Sequence, residues 1–269
     1  MVNQFPQVLT IAGSDCDGSA GMQADMNTFQ RCGVYGMSVL TAAVAGNSYG
    51  IFASQPMPTA FIDKQFSVLA DDFEIKACKT GMLTDAQTIK TVAKNYQKYD
   101  FGPLVLDPVI ITKHGDMLLE EQAYETLKSD LIPLADVLTP NYYEAVKLTG
   151  VEIKTPADAL KAAHILQEMG AKNVYVKGQH ADDKQEEVTD VALLADGTSF
   201  SLSEAYVDTT HINGTGDLLS SCIVAQIAQG KALTDAFKIA KKFVTAAIAN
   251  QIDVGHKFGP VNHLVDFKF

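Results

Sequence analysis

Short apolar runs that stop at glycine or a polar residue recur along this chain, each followed by a segment whose apolar residues return every three or four positions. Residues 8–12 end at Gly13-Ser14-Asp15, and Met22, Met26, Phe29 and Cys32 then follow at helical spacing, with Gly33 as the stop. The apolar stretch 34–45 ends at Gly46-Asn47-Ser48-Tyr49-Gly50, and Phe61, Ile62, Phe66 and Leu69 mark a helical face over 59–70. The same alternation continues. It predicts a strand at 75–78, a helix over 84–99 capped near Thr84 or Asp85, and strands at 103–107 and 135–138. Helices are predicted from 141 to Gly150 and from 156 to 169, then a strand at 173–176. Near the end the rhythm changes. Residues 191–195 and 198–202 flank Asp196-Gly197, which predicts a two-residue hairpin and antiparallel pairing at one edge, before a long helix over 232–250. With no repeat, linker or low-complexity tract, the expectation is an α/β fold in one domain, residues 1–269: a mostly parallel central sheet, helices on both faces and a small antiparallel edge.

The stretch 213–221, Asn-Gly-Thr-Gly-Asp-Leu-Leu-Ser-Ser, carries the strongest chemical signal. Gly214 and Gly216 allow dihedrals closed to other residues, so successive N–H groups can face one point. The apolar helix that starts there adds its unpaired N–H groups and dipole, which together with Thr215 suit an anion such as phosphate. Asp217 is then out of place beside a phosphate unless it takes a proton from an attacking hydroxyl. The plain alternative is an acidic residue in a first helical turn, stabilising the dipole.

Net charge of −11 and a pI near 4.9 argue against a chain that holds nucleic acid or an anionic membrane by bulk charge. An anionic ligand must be held by local N–H groups, a few lysines or a metal ion. Cys16, Cys32, Cys78 and Cys222 are scattered, with no CxxC pair, and read as reduced thiols. Neither an N-terminal leader pattern nor a run of about 18 apolar residues is present, so the expectation is a cytoplasmic enzyme without a membrane partner.

Other candidates sit at strand ends. The pattern G-x-G-x-x-G is absent from the first loop, since Gly13, Gly18 and Gly21 have the wrong spacing, so Ser14, Asp15 and Gln23 read as polar contacts of a small-molecule pocket. For Asp15 a turn or cap role is the alternative. Asn47 lies in a loop where ligands commonly sit in open sheets. Asp107 closes an apolar strand and reads as a metal or phosphate-site residue, or else as a loop cap. Residues 110–117, with Thr112, Lys113, His114 and Gly115, have the composition of a flap. Asn141 and Glu144 share one face of a helix start, either as a capping box or with Glu144 beside a hydrated magnesium. Lys177 ends a strand and either meets a nucleotide phosphate or is solvated.

Taken together, residues 11–15, 18–25, 34–37, 79–83, 106–109, 138–141 with Glu144, and 214–217 resemble the vitamin kinase branch of the ribokinase superfamily, which contains pyridoxal/pyridoxine kinases and hydroxymethylpyrimidine (phosphate) kinases. The likeness spans about residues 8–265. It implies a ribokinase-like fold and transfer of the γ-phosphate of ATP, with Mg2+, to a hydroxymethyl group. Asp217 would be the base, and Gly214, Thr215 and Gly216 the anion hole. Asp107 and Glu144 would organise magnesium and its waters, while Asn141 and Lys177 would lie on the nucleotide phosphates. Asp15 and Gln23 would contact the heteroaromatic ring, with Met82 packed near it. Many relatives carry Cys where Asp217 stands, and some carry Cys in the flap where Thr112 stands, so a thiol adduct with pyridoxal does not carry over. Asp217 together with residues 47–50 leans the reading toward a B6 vitamer as substrate. The alternatives are a hydroxymethylpyrimidine kinase of thiamine synthesis and a non-catalytic vitamer-binding protein. The apolar helix over 22–29 and the second-strand region would serve a homodimer face, as in relatives that dimerise, or equally a monomer core.

Overall fold

The computed structural model describes residues 4–110, 119–179 and 185–269. The first half of the chain forms β1 (Gln7–Asp15), α1 (Gly21–Arg31), β2 (Tyr35–Asn47), β3 (Gly50–Pro56), α2 (Thr59–Asp72), β4 (Ile75–Thr80), α3 (Ala86–Lys98) and β5 (Leu104–Leu106). After α4 (Glu121–Thr126), which runs on through a π turn and a 3-10 turn to Leu134, come β6 (Val137–Leu138), α5 (Tyr142–Thr149), α6 (Pro156–Glu168) and β7 (Asn173–Val176). The chain finishes with β8 (Glu187–Leu193), β9 (Ser199–Ala205), α7 (Thr215–Ala228) and α8 (Leu233–Ala249). Among the described residues no helix is long and apolar enough to cross a membrane.

All nine described strands lie in one sheet, in the order β3-β2-β1-β4-β5-β6-β7-β8-β9. The strands from β2 to β7 run parallel, as expected for alternating strands and helices. The central strands β1, β5, β6 and β7 are buried on both faces, with successive side chains entering opposite apolar layers. Leu9, Leu104 and Leu106 pack with Phe66, Ile89 and Leu166 in one apolar cluster, whereas their neighbours Val8 and Val105 pack with Phe29, Cys222, Phe237 and Phe243 in the other. The second cluster is capped by α1, α7 and α8, which places the α7 N-terminus over the middle of the sheet.

The expected fold class holds, with a second antiparallel edge added and the hairpin loop corrected. Antiparallel strands occupy both edges, because β3 pairs antiparallel with β2 in addition to the β7-β8-β9 pairing at the far side. Every residue of β3 is exposed, so the strand has no buried face to impose an alternating pattern on its sequence. The β8-β9 loop has three residues, not two: Leu194 N–H donates to Thr198 O (2.8 Å), Gly197 N–H donates to Leu194 O (3.0 Å), and Gly197 takes φ +84°.

Local chemistry sets the other boundaries. Asp85, one of the two anticipated caps, accepts from Thr88 N–H (2.7 Å) at the start of α3. Thr155 and Asp158 close a capping box on α6, with Pro156 in its first turn.

Candidate active site

The chain order places β1 between β2 and β4, so successive crossovers leave β1 in opposite directions and open a crevice at the carboxyl ends of the parallel strands. Asp15, Asn47, Asp107, Asn141 and Lys177 all lie at or just beyond those ends.

The α7 N-terminus faces this crevice. Asn213 is fixed in both directions, its N–H donating to Gly259 O (3.1 Å) and its carbonyl accepting from Val261 N–H (2.9 Å). Gly214 is the N-cap at φ +81°, and a Cβ there would collide with the carbonyl oxygen of Ser19, so the position needs glycine for conformation and for space. Thr215 turns inward, its hydroxyl donating to Ile212 O at 3.1 Å and its N–H lying 3.4 Å from the same oxygen. The N–H groups of Gly216 and Asp217 belong to the first turn and have no acceptor within the helix. They form the open part of the predicted anion hole. Gly216 also lets two charged groups approach, since a Cβ on it would lie 3.2 Å from Asp107 Oδ2 and 3.4 Å from Lys177 Nζ.

Asp217 combines burial with access. Its side chain keeps 17% exposure, and Lys79 Nζ stands 3.7 Å from its Oδ1. Burial pushes the carboxyl up to about 7; Lys79 opposes the rise, Asp25 and Asp107 add to it, and a hydrogen bond from Gly21 N–H opposes it. The carboxyl is therefore poised to exchange a proton near neutral pH. Lys79 is fully buried and forms a 2.5 Å salt bridge with fully buried Asp25. Burial works against its ammonium, but Asp25, Asp217 and Asp107 more than offset that and hold it above the usual lysine range.

The opposite wall carries Asp107, Lys177, Asn141 and Glu144. Lys177 Nζ pairs with Asp107 Oδ1 at 3.2 Å, and Ser220 Oγ lies 3.5 Å from Asp107 Oδ2. For Lys177 also, burial is outweighed by Asp107 and Glu144, so the amine stays protonated. Of the two readings of Asn141 and Glu144, the capping box is formed: Glu144 N–H donates to Asn141 Oδ1 (2.9 Å) and Asn141 N–H to Glu144 Oε2 (2.7 Å). Glu144 Oε1 takes a further backbone bond from Ile110 N–H (2.9 Å). That bond ties down the turn after Asp107, where Val109 adopts a left-handed φ of +44°, a conformation that a β-branched residue holds only under local constraint. Burial raises the Glu144 carboxyl to about 7, with Lys177 opposing and Asp107 reinforcing the rise. Both predicted metal residues therefore face this wall. Among the described residues no group of three or more His, Cys, Asp or Glu side chains is arranged to hold a metal. A hydrated magnesium needs only one or two carboxylates besides phosphate oxygens, and the site has charge to offer it. Four carboxyl groups, Asp25, Asp107, Glu144 and Asp217, surround two lysines, Lys79 and Lys177.

The predicted substrate residues form the remaining side. Gln23 does not project freely: its Oε1 accepts from Asp15 N–H (2.9 Å) and its Nε2 donates to Ser14 Oγ (2.7 Å), which fixes the loop that presents Asp15. Burial, and then the neighbouring Asp17, raise the Asp15 carboxyl. Met82 covers Gly13, whose absent Cβ would sit 2.7 Å from Met82 Cε. Asn47 is exposed and accepts from Tyr49 N–H (2.9 Å) in the β2-β3 turn. The flap candidates Thr112, Lys113, His114 and Gly115 lie outside the described residues.

Asp25 and Lys79 were legible only as letters in a motif, with no role attached. One signal was available, since Lys79 directly after Ala77-Cys78 in β4 and Asp25 on the buried face of α1 each require a partner.

Comparison with known proteins sharpens this geometry. The sequence profile of the phosphomethylpyrimidine kinase family matches residues 15–262. A hydroxymethylpyrimidine/phosphomethylpyrimidine kinase of Haemophilus influenzae is 47% identical over 97% of this chain and 98% of its own. Among solved structures, the pyridoxal kinase of Staphylococcus aureus in complex with AMP-PCP and pyridoxal superposes with a TM-score of 0.87 at 34% identity, covering 97% of this chain and 94% of that one. A phosphomethylpyrimidine kinase of Clostridium difficile gives a TM-score of 0.78 at 37% identity, covering 90% of this chain and 99% of that one.

Proposed function

The chain belongs to the phosphomethylpyrimidine kinase family of the ribokinase superfamily and is a small-molecule kinase; from that premise we propose that it transfers the γ-phosphoryl group of ATP to hydroxymethylpyrimidine and to its monophosphate. The observation that carries the reading is the Asp217 carboxyl, partly exposed beside the open N–H groups of α7 and poised near neutral pH. A base beside an anion site serves phosphoryl transfer and has no use in a protein that only binds its ligand.

In this mechanism the acceptor lies between Asp15, Met82 and the α7 N-terminus, with its hydroxymethyl oxygen toward Asp217. Asp217 takes the hydroxyl proton as the oxygen's electron pair attacks the γ-phosphorus. The bond from that phosphorus to the β–γ bridging oxygen breaks, and ADP leaves with the electron pair. Gly216 and Asp217 N–H groups hold the equatorial oxygens where negative charge accumulates. Lys177 meets the β- and γ-phosphates as a point charge, and Asn141 lies along the same phosphates. Magnesium, when bound, neutralises phosphate charge; Asp107 would hold it directly or through water, with Glu144 toward its waters. The residues present fit that role through their carboxyl groups, which outnumber the lysines. Because the nine strands among the described residues form one sheet, we read residues 1–269 as one kinase domain.

The acceptor is ordered by two supports. The 47% identical relative and the family profile favour the pyrimidine. A B6 vitamer is the second reading, supported by the likeness to a pyridoxal kinase that holds pyridoxal in its structure. ADP release with Mg·ATP across hydroxymethylpyrimidine, its phosphate, pyridoxal, pyridoxine and pyridoxamine decides the order by kcat/KM. A higher value for the pyrimidines upholds the first reading, and a higher value for a vitamer reverses it. No turnover with any of the five would overturn both.

A further inference from the structure

Lys79 sits in the sheet with no exposed atom, and Asp25 faces it from α1 equally buried. A lysine this deep needs countercharge from its immediate surroundings. Asp25 supplies it and is itself locked: its Oδ1 accepts from Lys79 Nζ (2.5 Å) and Ser221 Oγ (2.7 Å), and its Oδ2 from Thr10 Oγ1 (2.6 Å). Four separate elements, β1, α1, β4 and α7, are pinned at this one carboxylate. The other side of the ammonium faces Asp217 Oδ1 at 3.7 Å, too far for a hydrogen bond and close enough for strong attraction. That spacing has a chemical consequence. An ammonium in direct contact would occupy the Asp217 oxygen that must receive a proton, and no ammonium at all would leave the carboxylate facing Asp25 and Asp107 across a buried space.

We infer that Asp25 and Lys79 are positioning residues for the phosphoryl transfer: Asp25 holds the Lys79 ammonium at a fixed stand-off from Asp217, so that the base is oriented and countercharged while its oxygens stay open to the acceptor. The inference rests on the reading of Asp217 as the base. Neither residue touches substrate. The groups around Asp217 are Lys79 from β4, Asp25 from α1, Asp107 beyond β5, Lys177 beyond β7 and the N–H of Gly21, the first residue of α1.

The test is a double-mutant cycle on turnover. Asp25→Asn removes the countercharge, keeps one acceptor oxygen, enough for Ser221 or Thr10 but not both, and frees Lys79 to close on Asp217; the double variant Asp25→Asn/Lys79→Met removes both charges together and leaves Asp217 without its nearest countercharge. Each is made with Asp217 intact and with Asp217→Asn, and thermal unfolding verifies that every protein is folded. With Asp217 intact, both should lower kcat by on the order of 10- to 100-fold, while KM for acceptor and ATP moves less than about threefold. In the Asp217→Asn background the same changes should alter the residual kcat by less than about threefold. An equal loss in both backgrounds overturns the inference, because the pair then acts independently of Asp217, and so does a change confined to KM. Near wild-type kcat in Asp217→Asn alone refutes the base assignment itself, a result read before the pair is considered.

Discussion

Replacing Asp217 by Asn should abolish most of the activity while making the protein more stable, and the size of the stability gain should depend on pH. Below the ordinary carboxyl value of 3.8 the group is protonated in both the folded and the unfolded chain. Between 3.8 and about 7 the unfolded chain ionises and the folded chain does not, so stability falls as pH rises, by about 1.4 kcal/mol per unit. Above about 7 both states are ionised and the loss has reached its full extent, roughly 4 kcal/mol. The Asp217→Asn variant has no such loss, and Lys79 keeps its partner Asp25 in it. From pH 5 to pH 8 the advantage of the variant over the wild type should therefore grow by about 3 kcal/mol, or roughly 5–10 °C in Tm for a chain of this size. Turnover should fall by roughly 10²–10⁴ at pH 8, and the gap should narrow on acidification because the wild-type base becomes protonated. Paired thermal-unfolding and ADP-release series at pH 5, 6, 7 and 8 measure both. A Tm difference that stays flat with pH would refute the reasoning, since Asp217 would then not carry the raised pKa on which its role as base depends.

Lys177→Met removes the countercharge of Asp107 and Glu144, so KM for ATP should rise by about tenfold or more, measured with acceptor saturating. Glu144→Gln replaces one carboxylate oxygen by an amide that cannot accept from the N–H of Asn141 or Ile110; a stability loss of about 1–3 kcal/mol in denaturant unfolding is expected. Gly214→Ala forces a Cβ into the Ser19 carbonyl at a left-handed φ, and should cost about 1–3 kcal/mol together with ATP affinity, read by Tm and by nucleotide titration. Asp107→Asn takes from Lys177 its direct ion-pair partner, so Tm should fall, and the magnesium concentration needed for half-maximal turnover should rise by roughly tenfold.

What could be read from the residues alone was whatever local periodicity and short motifs encode. Buried strands such as β1 and β7 announce themselves by short apolar runs, and α5 and α6 carry their own caps. The same logic singled out Asp107 and Lys177, because a charged residue at the end of an apolar run is conspicuous, and Asp217 stood out as an acid between a glycine pair and an apolar helix. β3 was illegible because its pairing is made by backbone groups, which leave no trace in side-chain type when no face is buried. Gln23 also fixes the loop that carries Ser14 and Asp15, partners that only the return of α1 onto β1 brings near. Asp25 and Lys79 show the limit most clearly. They stand 54 positions apart in the chain, and nothing in the sequence says that they meet at 2.5 Å beneath Asp217. Sequence determined which residues must be buried and which chemistry was available; tertiary structure decided which charges face one another, because burial strengthens their interaction only after packing has removed the water between them.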